Sequence, residues 1–418
     1  MTAVRDNATD RSRGSDRPDQ PPRRFKVLIV GGGNAGISAA ARLARVLSPG
    51  EVAVIEPSDT HYYQPLWTLV GGGAATREET ARPQASVIPD GVEWIRARAE
   101  RLDPEQDQVI LEGGEAIGYD VLVVATGIEL HWGAVKGLEG AVGRDQVCSN
   151  YSFDTVEYTW QTIKEFQGGT ALFTMPPPPI KCAGAPQKIA YLADDAFRRR
   201  GVRERSKVIY AAGTPGVFAV PEYAKTLNAV IARKGIETRF QHVLTELRPE
   251  TKQAVFADRA NGDAEVIIDY DMIHVTPPQR APQLVRESPL AGDGGWAAVD
   301  KHTLQSPTYP NVFSLGDSSS LPTSKTGAAV RGQAPILAAN VLAFLDGAAP
   351  ASFQQYDGYT ACPVVTGYGR LVMAEFDYDL TPRPSFPFDQ TKERWSMYQL
   401  KRHLLPRYYW SRLLTGKA

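Results

Sequence analysis

Cysteine is scarce in this chain: Cys148, Cys182 and Cys362 are the three present among 418 residues. Thiols so few and so far apart exclude a disulfide-stapled secreted scaffold, and no C-x-x-C spacing suggests a zinc site. Net charge is nearly absent as well, at −1, so the chain lacks the basic surplus that phosphate binding by counterion release requires, and no nucleic-acid partner is expected. No run of eighteen apolar residues occurs, so no segment is expected to span a bilayer. The first 24 residues hold six Arg, four Asp and three Pro without an apolar stretch. They read as a disordered tail, neither an export signal nor an acid-poor transit peptide. The remainder, 43% hydrophobic and 22% charged, suits a globular chain of two or three domains.

Glycine is where the chain becomes informative. The apolar run Phe25–Val30 predicts a buried strand, and it enters Gly31-Gly32-Gly33-Asn34-Ala35-Gly36 ahead of a helical pattern. In that strand-turn-helix context Gly31 permits the tight turn, Gly33 lets a pyrophosphate approach the backbone, and Gly36 lets helix and strand pack closely. A second strand ends at Glu56, 20 residues past Gly36, where the acid that holds a ribose hydroxyl belongs. Dinucleotide binding follows. Two further strands close on Ala125-Thr126-Gly127 and on Gly316-Asp317. Both resemble secondary signatures of flavoproteins with two dinucleotide-binding domains, related to glutathione reductase, which implies FAD at this first site.

Such flavoproteins carry a second βαβ unit for NAD(P)H. Here the strand Ser206–Ala211 runs into Gly213-Thr-Pro215-Gly216, with Ala211 where the first glycine belongs and Pro215 lacking an N–H to offer phosphate. The next strand ends at Gln241-His242 without an acid. The unit reads as retained architecture with a degenerate nicotinamide site, so electrons must enter elsewhere. Four prolines, Pro176–Pro179, forbid helix or ladder after Thr170–Thr174 and place Cys182 on a stiff loop leaving a strand end. A flavin beside two thiols supports thiol–disulfide chemistry in which a thiolate passes two electrons on. Thiolates need a nearby cation, for which Lys181 and Lys325 are candidates.

At this point several separated motifs resemble one family: Lys181–Lys188 around Cys182, His61–Val70, Cys148–Ser152, His274–Pro278, Leu321–Thr326 and Tyr356–Cys362. Together they are similar to sulfide:quinone oxidoreductase, nearest the group that includes the mitochondrial enzyme, from Phe25 to the C-terminal region. The resemblance implies noncovalent FAD held by Gly31, Gly33, Gly36, Glu56, Gln64, Pro65, Thr126, Gly127, Asp317 and Lys325. It implies Cys182 and Cys362 as the catalytic redox pair, bridged by a disulfide or a trisulfide, although they stand 180 residues apart. Hydrogen sulfide would be oxidised to a persulfide on Cys362, Cys182 would donate to the flavin, and membrane quinone would reoxidise it. The sulfur would pass to a low-molecular-weight thiol, sulfite or sulfide. Cys148 and His131 are expected to be structural, no metal is expected, and a homo-oligomer is compatible with this reading. A type II NADH:quinone dehydrogenase, a soluble flavocytochrome subunit and a flavin-binding persulfide sensor without turnover are the alternatives.

From Thr391 to Ala418 seven Lys or Arg stand against one Glu, interleaved with Trp395, Tyr398, Tyr408, Tyr409 and Trp410. Met397, Leu400, Leu404 and Tyr408 fall at helical spacing, and Pro406 is expected to break the run into a pair of amphipathic helices lying in a headgroup plane. Phe376–Phe388 would lead into this surface and line a quinone entrance. The expected fold is α/β with two Rossmann-like domains: a tail over 1–24, an FAD domain over 25–145 and 290–385, a second unit over 146–289, and a membrane-association segment over 386–418. The protein would sit peripherally on an inner or plasma membrane, without an export signal.

Overall fold

The computed structural model describes residues 23–418. The tail expected over 1–24 lies, apart from Arg23 and Arg24, outside them. The first sheet is ordered Val92–Ile95, Val52–Ile55, Arg24–Val30, Ala116–Val124, Gln108–Leu111 and Ala99–Asp103, and Val312–Ser314 also pairs with Ala116–Val124. Strand Arg24–Val30 is parallel to both its neighbours. Its side chains alternate: Val27 and Ile29 join one core cluster, and Leu28 and Val30 join another on the opposite face. The return of Val312–Ser314, parallel to Ala116–Val124, brings the Gly316-Asp317 turn beside the Ala125-Thr126-Gly127 turn.

The second sheet is parallel throughout, in the order Val147–Cys148, Met272–His274, Gly169–Met175, Ser206–Ala212 and Glu237–Phe240. This order relocates the opening of the second unit. Gly169–Met175 is its first strand, helix Ala185–Arg199 its first crossover, and Ser206–Ala212 its second strand. The position of a phosphate-binding loop is therefore the proline-led loop with Cys182, and not the turn at Ala211–Gly216. Periodicity alone could not distinguish two short apolar strands of the same kind.

A hairpin of Thr360–Gly367 and Arg370–Phe376 packs along helix Ala185–Arg199. Helix Gly327–Leu345 is, by length and composition, capable of crossing a membrane, a candidate that counting apolar runs did not reveal. Its Val330, Ala334, Leu337 and Val341 are buried in the main core with Ile37 and Leu43 of helix Asn34–Leu43, and it carries Arg331, Gln333 and Asn340. Thr326 caps the helix through its side chain, and the helix runs on through Gly327, Arg331 and Gly332.

The C-terminal segment also differs from expectation. Helical turns run continuously over 395–413, with Pro406 in the first turn of Leu405–Tyr408 and widened turns over Leu400–Leu404 and Tyr409–Leu413. The missing proline N–H is absorbed by these wider turns, so the run winds past Pro406 and does not split there.

Candidate active site

The first glycine turn is shaped by close backbone approach. A Cβ at Gly36 would lie 1.8 Å from the Gly31 carbonyl oxygen, so only glycine lets helix Asn34–Leu43 start there, whereas a Cβ at Gly33 would meet nothing within 4 Å. That open face at the start of a helix is what an anion needs. Glu56 accepts from Gly32 N at 2.7 Å and from Ser58 N at 2.8 Å, which holds its carboxylate against the turn. Across the cleft the Thr126 hydroxyl is buried without a partner among the described residues, and Gly127 at φ +74 faces open space there. Burial raises the Asp317 carboxyl, an effect opposed by Lys325 and Lys181. An orphaned hydroxyl, an open glycine cradle and an acid with two cations nearby fit a flavin dinucleotide.

Cys182 follows the strand end with φ +50, a left-handed conformation that non-glycine residues rarely adopt. Its N–H donates to the Lys325 carbonyl at 2.9 Å, and its carbonyl accepts from Ala185 N at 2.7 Å as the helix begins. The half-buried Cys182 Sγ stands 4.0 Å from the buried Cys362 Sγ. Gly184 makes room: a Cβ there would lie 2.5 Å from Cys362 Sγ. The family resemblance named this pair, but no local spacing could; the packing of the hairpin along the helix brings the two cysteines together.

The cation at the thiols is Lys188, which the sequence did not single out. Its Nζ lies 3.2 Å from Cys182 Sγ. The hydrogen bond from Cys362, with Lys188 in support, holds the Cys182 thiol well below its ordinary range against the opposing cost of burial. Cys362, giving that hydrogen bond and buried, is pushed well up. Burial opposes the charge on Lys188, but the two sulfurs outweigh it and raise its pKa. Lys181 and Lys325, the cations expected there, are engaged elsewhere. Lys181 Nζ donates to Gln64 Oε1 at 2.8 Å, and Lys325 Nζ donates to the carbonyls of Asp317 and Ser319 while lying 3.8 Å above Trp296. Burial, offset in part by Asp317, brings both down to about 8. The usable signal for Lys188 was Pro186, which marks a helix first turn and so puts Lys188 on the turn facing back over the loop.

The C-terminal run contributes to this site. Lys401 is 3% exposed, and its Nζ donates to the Pro65 carbonyl at 2.9 Å. Burial, reinforced by Lys188 and opposed by the two cysteines, brings it down to about 7. Farther on, Tyr409 OH lies 2.6 Å from His61 Nε2, and His61 Nδ1 lies 3.1 Å from the Gly32 carbonyl of the nucleotide turn. Met397, Tyr398, Leu413 and Leu414 are also buried. Gln64, Pro65 and His61 thus join the glycine turn to the thiol loop and the tail.

Burial lowers His61 to about 4 and His274 to about 3. The unfolded chain binds these protons near 6.5 and the native state does not, so stability is full above pH 6.5 and falls as pH drops toward 4 and below. For His61 alone the loss should reach about 3 kcal/mol. Urea midpoints between pH 7 and 4.5 check this: the wild type should weaken steadily, and His61→Gln should show a shallower dependence. Cys148 is buried, its thiol raised by burial to about 12. His131 Nε2 lies 3.2 Å from Arg280 Nη1, which belongs to an ion pair with Glu129.

Residues 25–159 match the family model of pyridine nucleotide-disulphide oxidoreductases. The mitochondrial sulfide:quinone oxidoreductase of Mus musculus is 44% identical over 94% of this chain and 87% of its own length. That of Dictyostelium discoideum is 42% identical over 94% and 86%. The solved sulfide:quinone oxidoreductase of Aquifex aeolicus superposes with a TM-score of 0.79 at 18% identity, covering 94% of this chain and 92% of that one, a likeness of fold. With this identity over nearly its whole described length, the chain belongs to the sulfide:quinone oxidoreductase family.

Proposed function

We propose that this protein oxidises hydrogen sulfide to sulfane sulfur through Cys182 and Cys362 and delivers the electrons, by way of FAD, to a membrane quinone. The observation that carries the reading is the thiol pair at 4.0 Å with Lys188 3.2 Å from one member, set beside the glycine cradle. We assign residues 25–145 and 290–385 to the flavin unit and 146–289 to the second unit. The residues that would hold the FAD are Gly31, Gly33, Gly36, Glu56, Gln64, Pro65, Thr126, Gly127, Asp317 and Lys325. The bound flavin supplies a two-electron acceptor that quinone can reoxidise.

Hydrosulfide attacks the Cys182–Cys362 bridge at the Cys362 sulfur; the S–S bond breaks, leaving a persulfide on Cys362 and a thiolate on Cys182. Lys188 stabilises that thiolate, which is the leaving group of this step. An acceptor nucleophile (a small thiol, sulfite or a second sulfide) takes the outer sulfur and frees Cys362. The two sulfurs, 4.0 Å apart, then close to the bonding distance of about 2.05 Å as two electrons leave. Prolines at 176–179 place residues without an N–H where a nicotinamide phosphate loop would be, which weighs against NADH as donor. Anaerobic titration tests the reading. Sulfide should bleach the flavin and a short-chain quinone restore it, while NADH should not bleach it; bleaching by NADH alone would reverse the assignment.

Lys401 adds a pH dependence. It is cationic below about 7 and neutral above, so its help to thiolate departure is lost as pH rises through about 7. Sulfide-driven bleaching should therefore show an alkaline decline near 7. Lys401→Arg, charged throughout, should remove the decline, and Lys401→Met should lower the acid plateau. An unchanged profile in both variants would discount this residue.

A further inference from the structure

The C-terminal run borders an open surface cleft that the thiol chemistry does not use. It is lined by Arg199, Tyr368, Arg370, Trp395, Tyr398 and Gln399 among others. Arg199 closes helix Ala185–Arg199, and its guanidinium lies 4.1 Å over the Tyr368 ring, which fixes its plane. Arg370 follows the hairpin turn, and both arginines are exposed. The neighbouring acids are already engaged: Asp194 with Arg198 and Arg203, Asp195 with Lys234 and the Tyr368 N–H, Glu393 with Arg233 and Thr366. Glu393 feels the charge of Arg370 but is itself bonded to Arg233 and Thr366, and among the described residues neither Arg199 nor Arg370 forms an ion pair. Beside them Trp395 is 67% exposed, and Leu404, farther along the same run, is 54% exposed. His403, Arg407, Arg412 and Lys417 are exposed on that run as well.

We propose that this cleft binds the phosphodiester headgroup of an anionic glycerophospholipid, held between Arg199 and Arg370 with the Trp395 indole in the headgroup layer. Guanidinium forks match phosphate oxygens, and Trp is the side chain suited to a water–hydrocarbon boundary. A free phosphate would make no use of the apolar groups that project beside the arginines. The proposal rests on the membrane-facing role of this enzyme and adds to it a defined lipid site.

Flotation of the flavin-loaded protein with phosphatidylcholine vesicles, with and without phosphatidylglycerol, tests it. At 1 M salt, where the screening length is about 3 Å, the wild type should still prefer the phosphatidylglycerol vesicles. Arg199→Gln/Arg370→Gln should lose that preference. Arg407→Gln/Arg412→Gln, with the same change in charge outside the cleft, should keep it. Brominated lipid should quench less fluorescence in Trp395→Phe. Sulfide-driven bleaching in the cleft variants should be unchanged, which establishes that they are folded. Equal preference in wild type and cleft variant overturns the lipid site while leaving membrane binding intact. Failure of the wild type to float with either vesicle overturns both. If millimolar inorganic phosphate displaces the protein from neither vesicle yet protects Arg199 from dicarbonyl modification, the cleft is a free-anion site and the lipid assignment falls.

Discussion

Cys182→Ser and Cys362→Ser should each abolish sulfide-driven bleaching, with a loss of at least about 10³-fold, while the flavin spectrum and flavin content stay those of the wild type. Either substitution removes the bridge that hydrosulfide attacks, and serine supplies neither a leaving thiolate nor a sulfur able to carry a persulfide. The two variants should differ under alkylation. In Cys362→Ser the remaining thiol still faces Lys188 at 3.2 Å and should react quickly with iodoacetamide near neutral pH. Cys182→Ser leaves the buried Cys362 thiol, which the reagent reaches poorly, and should react slowly. Lys188→Met should fall between, with a rate lowered about 10- to 100-fold, as befits loss of one charge-assisted hydrogen bond to a thiolate. Anaerobic stopped-flow at 450 nm measures all three. Wild-type bleaching in both cysteine variants would rule out the redox pair.

Deletion after Phe388 should cost the protein its flavin and much of its stability, a larger effect than release from a membrane. Met397, Tyr398, Lys401, Tyr409, Leu413 and Leu414 are buried, and each large apolar side chain contributes about 1.5–3 kcal/mol by leaving water. Their loss is on the order of the whole stability of a typical domain. The deletion also removes Tyr409 from His61, the residue that reaches the Gly32 carbonyl in the nucleotide turn, and it frees Arg42, which donates to the terminal Ala418 oxygen. The ratio of flavin to protein absorbance after gel filtration, with a thermal melt, decides the matter. A truncated protein that keeps its flavin and its melting temperature would show that the tail is only an attachment. Membrane release is better tested on exposed side chains, with Trp395→Ser and Leu404→Ser, which leave this core in place.

The amphipathic pattern of the tail was visible in sequence but its destination was not. Of the four residues at helical spacing, Met397 is buried, Leu400 and Tyr408 are partly buried and Leu404 is exposed, so one stripe serves both the protein core and its surface. Periodicity reports that a face is apolar without saying what covers it. In the second unit the broken glycine signature follows strand Ser206–Ala212, yet pairing order makes Gly169–Met175 the strand that opens that unit.

What the amino-acid sequence determined by itself is local. The turn at Gly31–Gly36, the signatures ending at Gly127 and Asp317, and the proline-stiffened approach to Cys182 are legible because their chemistry lies within one turn and its flanking elements. The tertiary structure decided what crosses long separations: that Cys362 comes to 4.0 Å from Cys182, that Lys188 and not Lys181 or Lys325 is the cation there, and that Lys401 and Tyr409 return from the tail. The physical reason is that a one-residue change of helix phase, or a hairpin laid along a different face, would redirect these side chains without altering any local motif.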